Sequence, residues 1–141
     1  MIILNLNWLA IGVSALAYFA LGAIWFNPKV FGTMWMKGHG ISAPTEEDKK
    51  KMPMVMLTTL VLCVIGTIAL AYFIHVFSFY NVNWRWYSGA KVALVGGIGF
   101  TGVGIAMNYM YTKKPWSLII LDSAYHVVGL VIAGIIISSW M

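Results

Sequence analysis

Four long apolar stretches constrain this chain more than any other feature: Trp8 to Phe26, Pro53 to Phe77, Ser88 to Tyr111 and Trp116 to Trp140. Each holds about 20 residues or more, and at 1.5 Å per residue a helix of that length crosses the roughly 30 Å hydrocarbon core of a bilayer. Only 9% of the 141 residues are charged and the mean hydropathy is +0.85; an ordinary soluble domain carries about 25% charged residues. Backbone in lipid must satisfy its own N–H and C=O groups, which selects helix. The expected fold is therefore all-α, a four-helix transmembrane bundle forming a single integral membrane domain over 1–141. Its spans run over about 8–26, 53–77, 88–111 and 116–140, with an inner loop at 27–52.

The segment ahead of the first stretch, MIILNLN, carries no Lys or Arg, so the stretch reads as a retained span rather than a secretory signal. The lone Cys63 falls inside the second stretch and excludes an intrachain disulfide. The net charge of +5 does not point to nucleic acid, because the distribution of Lys and Arg follows membrane topology instead. Lys29, Lys37 and Lys49 to Lys51 follow the first span, and Lys113 and Lys114 separate the third from the fourth; Arg85 and Lys91 alone fall on the opposite side. The two lysine-bearing loops should face the cytoplasm and both termini the outside. Trp84, Arg85 and Trp86 suit an interfacial anchor in the outer loop, and His75 has no neighbouring ligand in sequence.

Within the inner loop, Asn27 is a good N-cap and Pro28 a good first helical residue. Val30, Phe31, Met34 and Trp35 then form one apolar stripe, closed by Lys37 and Gly38. This pattern predicts a short amphipathic helix lying in the headgroup layer. Thr45 to Asp48 resembles a capping box before Lys49 to Lys51, and Pro53 either interrupts or opens the second span. The loop serves as a lipid-anchored connector or, in the alternative, docks a protein partner through residues 28–51.

Residues 91–122 imitate a dinucleotide-binding unit, with Gly97-x-Gly99-x-x-Gly102 and an acid at Asp122. The stretch VGIAMNYMY has no solvated face, however, and the chain has no room for further βα units. Helix packing explains the glycines better, since small residues let helices approach closely in lipid. Gly97, Thr101, Gly104 and Asn108 recur at helical spacing as one small-and-polar stripe.

Asp122 is the one acid inside any span, and a mid-helix acid costs about 2.5–3.5 kcal/mol on insertion. Tyr125 and His126 share its face, which continues through Gly129 and Ala133. The very short link between spans three and four makes them antiparallel neighbours, placing Gly104 opposite Asp122 and Thr101 opposite His126. A polar cluster of Thr101, Asn108, Asp122, Tyr125 and His126 is thus expected in the inner half of the bundle, with Gly97, Gly104 and Gly129 giving room for packing. Two roles stay open for it: a closed network that fixes helix register, or a site where Asp122 binds a cationic or hydroxylated solute or exchanges a proton with His126. One His and one Asp leave a metal ligand set incomplete, so neither metal nor cofactor is expected.

The chain resembles the domain of unknown function 1761 family, small bacterial membrane proteins with four spans. The resemblance rests on Gly22-Ala-Ile-Trp25-Phe-Asn27-Pro28-Lys-Val-Phe31-Gly32-Thr-Met-Trp35, on Asn108-Tyr109, and on Pro115-Trp116 leading to Asp122 and Tyr125. It implies an integral protein of the bacterial cytoplasmic membrane, an interfacial motif of Trp25, Asn27, Pro28, Phe31, Gly32 and Trp35, and no particular activity. The expected function is a non-enzymatic membrane protein, homo-oligomeric within the lipid bilayer. It would bind a small or lipid-like ligand at the polar cluster, with transport or proton exchange as an extension and a lipid-modifying enzyme as the weaker alternative.

Overall fold

The computed structural model describes residues 5–141, and no strand occurs among them. Its helices are α1 (Trp8–Trp25), α2 (Thr33–His39), α3 (Glu46–Phe79), α4 (Ser88–Gly96), α5 (Val103–Tyr111) and α6 (Trp116–Ser139). A π-helical turn at Pro28–Gly32 leads into α2, and a second at Gly97–Gly102 joins α4 to α5 as one rod. Four helices are long and apolar enough to cross a membrane: Trp8–Trp25, Glu46–Phe79, Ser88–Tyr111 and Trp116–Ser139.

Local chemistry sets the helix ends. Asn7 caps α1 by accepting from Ala10 N at 3.0 Å, while its amide donates to Trp140 O at 3.1 Å and ties the start of α1 to the end of α6. Thr45 and Asp48 form a reciprocal capping box, with Asp48 N donating to Thr45 Oγ1 at 3.2 Å and Thr45 N to Asp48 Oδ2 at 2.8 Å. The helix so started runs through Pro53 for 34 residues, about 51 Å. It begins seven residues before the expected span, at the Thr45–Asp48 capping box, and Pro53 lies inside it as the eighth residue, where it removes one backbone donor. Between α5 and α6 the chain reverses with Lys113 at φ 54°, and Lys114 N donates to Tyr109 O at 2.9 Å, a Schellman-type closure with lysine in the position glycine usually takes.

Helix α6 is the centre of the bundle and packs against every other helix. Small residues make that possible. A Cβ on Gly134 would stand 2.5 Å from the carbonyl oxygen of Gly89, so α4 and α6 touch backbone to backbone, and a Cβ on Gly129 would run into the Tyr18 ring of α1. Gly97 packs against Val127. Two apolar cores result: one around Ile11, Leu70, Ile74, Ala93 and Ile137 at the end carrying the described termini, the other around Ala15, Tyr18, Cys63 and Tyr125. Large apolar side chains such as Leu9, Leu62, Ile65, Val95 and Phe100 remain exposed around the outside, the inverse of a soluble core and the pattern lipid contact requires.

The third rod departs from the expected stripe for a geometrical reason. A π turn inserts one extra residue and moves everything beyond it round the helix axis. Gly97 is buried and Thr101 half-buried, but beyond the turn the inward positions are Ile105, Ala106 and Tyr109, one or two residues later than the stripe drawn from regular spacing. Gly104 and Asn108 consequently face outward and are exposed, and a Cβ on Gly104 would meet nothing within 4 Å.

Candidate functional site

Asp122 lies six residues into α6, so its carboxylate is about 9 Å from the helix start. It is only 5% exposed. Two side chains from other elements reach it. The Tyr109 hydroxyl of α5 donates to Oδ2 at 2.7 Å, and Nε2 of His39, the last residue of α2, stands 3.8 Å from the same oxygen. The second carboxylate oxygen, Oδ1, is buried with no hydrogen-bond partner, as are His39 Nε2 and the hydroxyl of the adjacent Ser123. An acid embedded among apolar helices is thus half satisfied, with a histidine of unmet hydrogen-bonding capacity beside it. Such groups cost free energy unless something completes them.

His39 arrives there because the connector, carrying the expected short helix after the first span, folds back so that α2 packs against α6. Asn27 Oδ1 accepts from Lys29 N at 2.9 Å, and Gly32 N reaches back five residues to Asn27 O at 2.9 Å, closing the π turn. Glycine is required at 32, since a Cβ would come within 2.8 Å of the Asn27 carbonyl carbon. Phe31 then rests on Trp25 with ring centroids 4.8 Å apart, Trp35 on Phe26 at 5.6 Å, and His39 on Trp35 at 4.5 Å. Gly38 brings α2 against α6, where its missing Cβ leaves room for Leu118. The helix closes one residue past His39 at Gly40, in the left-handed conformation with φ 73°, rather than at Lys37 and Gly38. Trp25, Phe26, Trp35 and His39 thus stack within the chain, while Val30, Phe31 and Met34 keep exposed surface.

The expected cluster divides into two groups. Asp122 joins Tyr109 and His39, whereas His126 pairs through Nδ1 with the Tyr18 hydroxyl of α1 and packs against Tyr125, ring centroids 4.8 Å apart. Tyr125 also meets Phe26 at 4.9 Å and Tyr18 at 5.5 Å. His126 makes no direct hydrogen bond to Asp122, and the histidine paired with the acid is His39. Thr101 is half-buried and makes none of these bonds. Asn108, outward-facing beyond the π turn, stands outside the cluster, and its neighbour Tyr109 occupies the inward position instead. Among the described residues no group of three or more His, Cys, Asp or Glu is placed to hold a metal ion.

Two participants were not singled out from sequence as partners of the acid. For Tyr109 the regular helical period pointed one residue too early. For His39 a signal existed: it continues the Trp35 stripe at i+4, an imidazole on an otherwise apolar face.

A family model described as "Protein of unknown function (DUF1761)" matches residues 9–138. The match takes in all four long helices, the connector with its π turn, and Asp122 with both of its partners. No curated protein matches the chain. No solved structure matches it either.

Proposed function

The chain belongs to the DUF1761 family, and from that premise we propose that it binds the hydrogen-donating headgroup of a lipid-like molecule at Asp122, beneath the cover of α2. The observation that carries this reading is a pair of buried groups without hydrogen-bond partners, Asp122 Oδ1 and the His39 Nε2 that stands 3.8 Å from Oδ2 of the same carboxylate. A register-holding network has no need to leave both unmet, because a closed network gains stability only when every member is satisfied. An intramembrane acid also marks a functional site by default. The free carboxylate oxygen accepts, so the ligand must donate: a primary ammonium or a hydroxyl fits and a methylated amine does not.

In this reading α2 is the cover. It holds to the bundle through the His39 contact and the Gly38 packing on Leu118, and ligand reaches Asp122 when it lifts. The lysine-bearing loops put this end in the cytoplasm and both termini outside, consistent with a bacterial cytoplasmic membrane location, and the glycine-bearing outer face of the third rod suits a second copy of the chain. Proton exchange at Asp122, if it accompanies binding, runs through His39 and Tyr109 rather than His126. The rival reading is a partner docked through residues 28–51, where Val30, Phe31 and Met34 keep exposed apolar surface.

The test compares phosphatidylethanolamine with phosphatidylcholine, which share charge and phosphate but differ in N–H donors. Thermal unfolding of the full chain in bicelles should show added stabilisation by phosphatidylethanolamine, lost in Asp122→Asn and reduced in Tyr109→Phe. Equal stabilisation by both lipids, or an Asp122→Asn protein that keeps the whole difference, refutes the proposal.

A further inference from the structure

At the opposite end of the molecule, the hairpin between α3 and α4 encloses a groove of about 450 Å³ lined by Tyr80, Asn81, Trp84, Tyr87, Ser88 and Lys91, among others. That volume falls within the roughly 300–1,000 Å³ usual for small-molecule sites. The wall carries several donors, and its one charged side chain is Lys91. Lys91 can only donate, and its Nζ sits 4.9 Å above the Tyr87 ring centroid without a carboxylate partner. Asn81 Oδ1 already accepts from Asn83 N at 3.1 Å, which leaves the Asn81 amide hydrogens. Ser88 Oγ already accepts from Arg85 N at 3.1 Å, which leaves its hydroxyl proton. The indole of Trp84, a donor only, is buried with no partner at Nε1. Asn83 keeps a free amide acceptor, the Asn81 and Ser88 oxygens each keep a second lone pair, and the tyrosine hydroxyls work either way.

Charge separates along the molecule in the same sense. The chain has 4 acidic side chains: Glu46, Glu47 and Asp48 begin α3, and Asp122 lies near the start of α6, all towards the lysine-bearing end. The groove end holds Arg85 and Lys91 and no Asp or Glu. A cavity whose one charged lining side chain is a lysine, with several further donors and no carboxylate, suits an acceptor-rich anion. Around it Phe79, Tyr80, Trp86 and Tyr87 are exposed, the aromatic belt that sits at headgroup depth.

The geometry points to a phosphate-binding site in this groove, occupied by the phosphodiester of an anionic lipid headgroup in the leaflet on that side. Lys91 supplies the charge, while the Asn81 amide and Ser88 hydroxyl orient the phosphate oxygens. The site is independent of Asp122.

The decisive experiment titrates the full chain in detergent with phosphatidylglycerol, phosphatidylcholine or inorganic phosphate alone, and follows binding by native mass spectrometry and thermal shift. Phosphatidylglycerol should bind more tightly than phosphatidylcholine. Lys91→Gln should weaken that binding about fivefold, the effect of one lysine at an anionic surface, and Asn81→Asp, which sets a carboxylate among the donors, should weaken it further. Lys113→Gln at the other end serves as the control and should leave it unchanged. Inorganic phosphate that binds with the same Lys91 dependence and competes with the lipid keeps the site but makes free phosphate its ligand, overturning the lipid assignment. Unchanged phosphatidylglycerol binding in both Lys91→Gln and Asn81→Asp, or a loss as large in Lys113→Gln, overturns the site. Both groove variants alter exposed side chains, so folding is checked by their unchanged unfolding midpoint without lipid.

Discussion

Breaking the Tyr109–Asp122 contact tests whether the acid is held by the third rod, and a double-mutant cycle measures this cleanly. The variants are Tyr109→Phe, Asp122→Leu and their combination. The O–H···O distance of 2.7 Å is optimal, and the Asp122 side chain is 7% exposed, so water cannot replace the lost partner. Hydrogen bonds to charged groups in soluble proteins contribute about 1.5–3 kcal/mol, but interhelical bonds within membranes average about 0.6 and reach about 1.7 kcal/mol. A short, buried bond to an acid belongs at the upper end of the membrane range. The expected coupling is therefore about 1–1.7 kcal/mol, a five- to twentyfold change in the unfolding equilibrium. Removing the carboxylate also relieves its own burial cost of about 2.5–3.5 kcal/mol, and Asp122→Leu alone can therefore stabilise. That contribution is common to both arms and cancels in the cycle. Reversible unfolding of the four proteins in bicelles supplies the numbers. Coupling below about 0.5 kcal/mol, the scatter of independent sites, would refute the contact as a determinant of the site.

Glycines divide into two classes with opposite outcomes. Gly129→Ala and Gly134→Ala should each destabilise by about 1–3 kcal/mol in the same bicelle assay, because their new methyl groups meet the Tyr18 ring and the Gly89 carbonyl oxygen. Gly104→Ala meets nothing within 4 Å and should be neutral or stabilising by up to about 1 kcal/mol through helix propensity; a loss comparable to Gly129→Ala would place Gly104 at an interface between copies. Lys113→Gly should stabilise by about 0.5–1 kcal/mol, seen as a raised unfolding midpoint, since Lys113 holds φ 54° where glycine has no Cβ clash. His39→Ala should loosen α2 from α6 and speed tryptic cleavage after Lys37 about fivefold, the consequence of losing about 1 kcal/mol of local stability. Unchanged cleavage would show that Gly38 and Trp35 hold the helix without the imidazole.

Length and hydropathy alone determined that four helices are long and apolar enough to cross a membrane, because the transfer of a segment into lipid is close to a sum over its own residues. The same locality made Asn27, Pro28 and the Thr45–Asp48 box legible as starts of helices, since a cap is a contact between neighbours in sequence. Which residues face one another was another matter. The face a helix presents depends on its accumulated rotation, and the single extra residue in Gly97–Gly102 exchanged Asn108 for Tyr109 and turned Gly104 outward. His39 fell just past the expected helix end at Lys37 and Gly38; the helix runs on to it, and Gly38 brings it against Leu118, a contact between segments that no local pattern encodes. His126 shares a helical face with Asp122, yet Tyr18 on a different helix claims it. The sequence could require that Asp122 find partners, but only the packing of α2, α5 and α6 decided which two it has and left one oxygen unmet.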